Sequence, residues 1–254
     1  LARIGDLAVP YLSEILNKSL DPDLRLCVVS AMDTNLPAAV AVLEVSLMDD
    51  DPEVRVEAAL KLARCGRGTT EGVLATLVSF GWNDGYAKRI VSALSEMAEA
   101  HQADRTVVIK TLLDCIRVQS PYRKYLSDHA ITDCVFELGQ IGTSMPDEVI
   151  PVLINQLRSG RDWGKTANAL AKFGEMAVPY LIDYLSDLSW DRGIDGAFDA
   201  IIEIGLPAAE PAIPVLIQHL SHGSTLNAQN ALRRLGVQTT EVIAVLVEQS
   251  NDSH

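Results

Sequence analysis

Apolar side chains recur along this chain at spacings of three and four residues. Ile109, Leu112, Leu113 and Ile116 hold positions i, i+3, i+4 and i+7. Ile150, Leu153, Ile154 and Leu157 repeat that pattern, and so do Ile213, Leu216, Ile217 and Leu220. On a helix of 3.6 residues per turn this spacing gathers one apolar stripe on one face. No period-two run bounded by hairpin turns is present, so the pattern predicts helices and no strands.

The stripes themselves recur. Segments such as Val9-Pro10-Tyr11-Leu12, Val40-Ala41-Val42-Leu43, Ile150-Pro151-Val152-Leu153, Val178-Pro179-Tyr180-Leu181 and Ile213-Pro214-Val215-Leu216 open successive first helices, with weaker copies ending at Leu77, Leu112 and Leu246. The spacing of the eight final leucines averages about 33 residues, a helix-pair period. Proline is expected in the first helical turn of four copies, where its missing N–H costs nothing. A polar turn follows each first helix, as at Asp49-Asp50-Asp51-Pro52. A second helix then stops at glycine, at Gly5, Gly66, Gly142, Gly174, Gly205 and Gly236. Glycine enters the left-handed helix-end conformation without a Cβ penalty. One pair of this size cannot bury its own apolar faces, whereas a stack of pairs shares a continuous core. The expectation is an all-α solenoid (superhelix) of about eight helix pairs forming a single domain over residues 1–254. Leu1-Ala2-Arg3-Ile4-Gly5 reads like the second-helix end Leu62-Ala63-Arg64-Cys65-Gly66, so the chain is expected to start inside a repeat, and its last repeat is partial.

Composition sharpens this in three ways. Hydrophobic residues make up 48% of the 254 residues and charged ones 22%, which fits a packed core and not a disordered chain. No apolar run approaches the ~20 residues of a spanning helix. Net charge is −13, which repels phosphate backbones and makes nucleic acid an unfavourable partner. Cys27, Cys65, Cys115 and Cys134 lie in apolar stretches without close metal or redox spacing. They read as core residues of a cytoplasmic protein.

Gly-x-x-Ala-Val-Pro-x-Leu, at Gly5 to Leu12 and at Gly174 to Leu181, resembles the HEAT-like repeats grouped with phycocyanobilin lyases. Asp51-Pro52-Glu53-Val54-Arg55 followed by Ala58-Ala59-Leu60 matches the second-helix pattern of that group, and Asp21-Pro22-Asp23-Leu24-Arg25 is a second copy. The resemblance covers essentially the whole chain and implies HEAT-like helix pairs. It also implies that Asp51 and Arg55 tie adjacent repeats together, with Arg89 and Lys165 at the arginine position of later repeats. It names no single activity, because this repeat serves scaffolds, adaptors, bilin lyases and a few enzymes.

A binding face is suggested by the turns within the pairs. Trp82, Tyr86 and Arg89 fall near one turn; Tyr122, Arg123, Lys124 and Tyr125 fall in the next. Arg161, Trp163 and Lys165 follow, and then Trp190, Asp191 and Arg192. All three tryptophans and six of thirteen aromatics thus fall in four consecutive turns, where polar residues are the rule. Trp, Tyr and Arg are also the residue types enriched at binding hot spots. The competing explanation is that each ring folds back over the next repeat. Asp183, Asp187, Asp191, Asp195, Asp199 and Glu203 recur every four residues, forming an acidic stripe that suits solvent or a cationic partner.

No catalytic constellation is visible: there is no phosphate loop, nucleophile elbow or Cys/His nucleophile arrangement. His219 and His222 straddle a helix end without a third ligand and read as ordinary polar histidines. The leading expectation is a non-catalytic scaffold, without cofactor, that grips a protein or peptide with a basic region through the ridge and concave face. The resemblance implies an alternative, a bilin lyase or chromophore-handling protein holding a bilin near Trp163, Trp190, Asp191 and Asp195. A third is an acidic inhibitor-like binder of a basic protein.

Overall fold

The computed structural model describes residues 7–67, 71–79, 84–100, 102–117, 127–159, 162–186, 193–221 and 225–237. Among them every regular element is helical. The chain forms two compact units, Leu1–Asp133 and Cys134–His254.

Unit 1 contains α1 (Val9–Lys18), α2 (Pro22–Ala31), α3 (Pro37–Ser46), α4 (Pro52–Leu62), α5 (Glu71–Ser79), α6 (Asp84–Ala100) and α7 (Gln102–Ile116). Helix α8 (Asp128–Ile141) crosses the division. Unit 2 continues with α9 (Pro146–Arg158), α10 (Trp163–Ala171), α11 (Val178–Ser186), α12 (Ile194–Ile204), α13 (Ile213–Ser221) and α14 (Thr225–Arg234). Within each unit a helix packs on its sequence neighbour and on the equivalent helix of the next pair. Thus α2 lies on α4, α10 on α12 and α12 on α14, while first helices α9, α11 and α13 follow one another. This is the all-α solenoid that the periodicity predicts.

Among the described residues the second helices carry a larger share of the core than the first helices do. Val54, Val56, Ala58, Ala59, Leu60 and Leu62 of α4 are all fully buried, because α2, α3 and α5 surround that helix. Close approach depends on small residues. A Cβ on Gly139 of α8 would stand 2.7 Å from Ala169 Cα on α10, so backbones meet there with no side chain between them.

Asp21 and Asp51 cap α2 and α4. Asp21 Oδ1 accepts from the Asp23 N–H at 3.0 Å, and Asp51 Oδ1 accepts from Glu53 and Val54 at 2.9 and 3.2 Å. Each cap satisfies amides that a helix leaves open at its first turn. Asp51 is therefore a helix cap and not the tie between repeats that the resemblance implied. Arg55 also acts locally, donating to the Asp49 and Asp50 carbonyls at 2.6 and 2.9 Å. The tie is made one repeat earlier, by Arg25 to Asp49, through Nε at 2.9 Å and Nη2 at 2.8 Å. Lys61 adds another, donating from α4 to the Met32 carbonyl beyond α2 at 2.9 Å.

Three sequence expectations change. Pro151 lies inside α9, which starts five residues earlier at Pro146; Pro10, Pro179 and Pro214 do sit at helix starts. Gly66, Gly174, Gly205 and Gly236 have φ of 82°, 55°, 70° and 71°, but Gly142 has no positive φ. Its requirement is space: a Cβ there would come within 3.2 Å of Phe173 and Val149 side chains. Cys115 and Cys134 are core residues as expected, whereas Cys27 is exposed and Cys65 is partly exposed. Burial pushes the Cys115 thiol up to about 12, which keeps it protonated and unreactive.

Candidate interaction surfaces

Of the residues singled out on the ridge, Trp82, Tyr122, Arg123, Tyr125, Arg161, Trp190, Asp191 and Arg192 lie outside the described residues. Tyr86, Arg89, Trp163, Lys165, Asp195 and Asp199 are described, and all six belong to second helices and not to the turns before them.

In unit 1, Tyr86 and Arg89 sit in the first turns of α6 and reach back to α4. The Tyr86 hydroxyl donates to Glu53 Oε2 at 3.3 Å, and Arg89 Nη2 pairs with Glu57 Oε2 at 2.7 Å. Glu57 is only 8% exposed, so removing Arg89 would leave a buried carboxylate without its ion-pair partner. The Arg89 guanidinium also lies 5.5 Å from the Tyr86 ring centre, a cation–π distance. Partial burial, with the Glu53 charge and hydrogen bond, raises the Tyr86 phenol above its usual value. These two side chains join one repeat to the previous one.

In unit 2 the starts of three second helices line one edge. Asp162 adopts φ 42°, a left-handed conformation that aspartate tolerates better than most residues. The backbone reversal there opens α10 at Trp163, which remains 37% exposed. Lys165 lies one turn on, 3.7 Å from the Asp162 carboxylate. Helix α12 starts close alongside: a Cβ on Gly196 would stand 3.0 Å from Trp163 Cβ. Glycine is required for that approach, which brings the start of α12, where Asp195 lies, against the start of α10. Asp195 is exposed and accepts a hydrogen bond from Asn227 in the first turn of α14. The edge therefore joins the starts of α10, α12 and α14, the last two through the Asp195–Asn227 hydrogen bond.

Asp195, Asp199 and Glu203 do form a four-residue stripe on α12. Burial raises the Asp199 carboxyl above the usual value; the Arg234 charge opposes this, and the like charges of Asp195 and Glu203 add to it. The stripe is thus partly neutralised by α14.

His219 differs from its expected role as a plain polar residue. It is 2% exposed, its Nε2 bonds the Leu185 carbonyl at 2.8 Å, and its ring stands edge-on to Phe198 with centroids 5.4 Å apart. The carbonyl accepts, so Nε2 carries the proton. His222 lies outside the described residues.

A second surface feature was not singled out by sequence. A groove of about 910 Å³ lies along α11 and the turn ahead of α13. Its floor is Val178, Pro179 and Ile182 from one side and Pro207, Ala208 and Pro211 from the other, with Glu175, Asp183 and Glu210 among the lining residues. The signal was present as the spacing 175, 178, 179, 182, 183 and 186, one helical face, but only packing reveals that this face stays open. A smaller groove of about 450 Å³ lies between α1 and α3 in unit 1, and its one carboxylate, Asp49, is already held by Arg25.

Among the described residues no helix is long and apolar enough to cross a membrane. No family model matches the chain, and no curated protein matches it. One similar solved structure comes from work on a phosphorylation switch that controls the interaction between cadherin and β-catenin. It is 14% identical, with a TM-score of 0.46, over 94% of this chain and 57% of that one. The chain thus spans little more than half the length of that protein.

Proposed function

We propose that this chain is a non-catalytic protein-binding module built from HEAT-like helix pairs, and that the edge formed by the starts of α10, α12 and α14 grips its partner. The observation that carries this reading is Trp163: a residue with a large side chain left 37% exposed on a helix start, whose backbone packs closely against Gly196 of α12. An aromatic side chain has few rotatable bonds to fix on binding and desolvates a large area, which suits a hot spot. Lys165 on α10 and Asp195 on α12 belong to the same edge and would give a partner both charge signs to meet. With a net charge of −13, the chain as a whole would steer a basic region of that partner inward.

The test is affinity capture from the native lysate by wild-type protein and by Trp163→Ala, followed by titration of the captured protein. The expected result is a stoichiometric protein partner whose affinity falls by more than ~1 kcal/mol in the variant, with unfolding curves unchanged. Equal affinity of both proteins for that partner overturns the proposed edge.

A further inference from the structure

We infer that the groove along α11 and the turn ahead of α13 is a second docking surface, which takes an amphipathic helix of a partner protein with lysine or arginine flanking its apolar face. This inference stands independently of the Trp163 edge, since the two share no residue.

Three observations lead to it. The first is the shape and lining. Val178, Pro179 and Ile182 on α11 face Pro207, Ala208 and Pro211 across an open trough of about 910 Å³. Pro179, Pro207 and Pro211 are exposed, so this apolar surface meets solvent when the groove is empty. The second is charge. Among the described residues, Glu175, Asp183 and Glu210 are the only ionisable groups lining the groove, and all three are exposed. Among the described residues none of them has an ion-pair or side-chain hydrogen-bond partner. Asp49 and Glu57, by contrast, are held by Arg25 and Arg89, whereas the three groove carboxylates stand together beside an apolar surface. The third is the state of the backbone. The groove walls are a helix, whose amides are internally bonded, and a proline-bearing turn, whose prolines have no N–H to offer. An extended peptide would bring unsatisfied N–H and C=O groups onto a surface unable to pair them. A helix arrives with its backbone already satisfied and presents apolar side chains at i, i+3, i+4 and i+7.

Charge also selects among occupants. Phosphate backbones and anionic lipid surfaces meet three carboxylates and are repelled. A second copy of this chain also carries −13 and is disfavoured by the same repulsion. A cationic amphipathic helix places its basic side chains over Glu175, Asp183 and Glu210 and its apolar stripe over Ile182 and the prolines.

The experiment uses the full chain and a fluorescein-labelled synthetic helix with leucines at i, i+3, i+4 and i+7 and lysines beside them. Its control is the same peptide with every lysine replaced by glutamate. Fluorescence anisotropy is expected to show the wild-type protein favouring the lysine peptide by at least about tenfold, with the preference shrinking as salt rises. Glu175→Lys, Asp183→Lys and Glu210→Lys together should reverse the preference, and Ile182→Gln should weaken the lysine peptide while circular dichroism stays native. If the charge-reversed protein does not fold, Glu175→Gln, Asp183→Asn and Glu210→Gln should abolish the preference instead. The inference is overturned if the wild type binds neither peptide, or binds both equally. It is also overturned if lysine-peptide affinity is unchanged in the folded groove variants, which would place binding elsewhere on the protein.

Discussion

Arg25 and Asp49, 24 residues apart in sequence, form a two-pronged ion pair that binds the second helix of one repeat to the turn of the next. Both side chains are 12% exposed, and Arg25 also donates to the Ser19 carbonyl at 3.1 Å. Asp49 in turn accepts from the Asp51 N–H at 2.8 Å, so one carboxylate holds both the neighbouring repeat and its own turn. Burial, the largest single influence, pushes the Asp49 carboxyl up. The hydrogen bonds from Arg25 and Asp51, with the charges of Arg25 and Arg55, outweigh it and leave the group below the usual carboxylate value.

A depressed folded value means that this carboxylate stabilises the fold above its unfolded pKa and loses that contribution as pH falls through the folded one. Asp49→Asn should therefore lower the denaturation midpoint of unit 1 at neutral pH. The gap to wild type should close from about pH 4 downward. Arg25→Lys should recover only part of the wild-type stability, because an ammonium cannot reproduce the planar fork. Urea melts of the three proteins across pH check both statements; a gap that persists undiminished in acid contradicts them.

Asp199 has the opposite sign. Its carboxyl is raised, mainly by burial, so the charged form is disfavoured in the fold. Its unfavourable contribution is present above the folded value and disappears as pH falls below the unfolded one. Asp199→Asn should raise the melting temperature at neutral pH and make no difference once the solution is acidic enough to protonate the group in both states.

His219 caps a carbonyl near the end of α11 from the next first helix, α13. In His219→Leu the Leu185 carbonyl loses this buried partner, and the expected cost is about 1–3 kcal/mol. His219→Gln, which can still donate, should recover part of it. Chemical denaturation of the two variants distinguishes a hydrogen bond from simple space filling.

Gly139 tests backbone contact between second helices. A methyl there meets Ala169 Cα at 2.7 Å, well inside van der Waals distance. Gly139→Ala would gain a few tenths of a kcal/mol or more from helix propensity alone. We expect instead a net loss of about 1–3 kcal/mol from overpacking, read as a lower unfolding midpoint. A stabilised variant would show that α8 and α10 separate at no cost.

The repeat, the helix pairs and their starts and stops could be read in the sequence because they are local. A stripe at three- and four-residue spacing, an aspartate cap or a glycine stop acts within one or two turns of chain. Even so, Pro151 and Gly142 match the repeat pattern but serve differently: a helix start can shift by a turn, and a glycine can answer to a neighbour's side chain in place of its own φ. The partners of Asp49, Glu57 and His219 lie 24, 32 and 34 residues away, beyond any local rule. The same holds for the surfaces. Sequence placed Trp163 and Asp195 among candidate binding residues, yet only the packing of α12 against α10 through Gly196 puts the two helix starts together. Residues 175 to 186 carry a helical face that composition alone would assign to the core or to solvent. Tertiary structure decided that it is an open trough, because burial depends on which neighbour covers a face, and among the described residues the stack of α11 and α13 leaves this one uncovered.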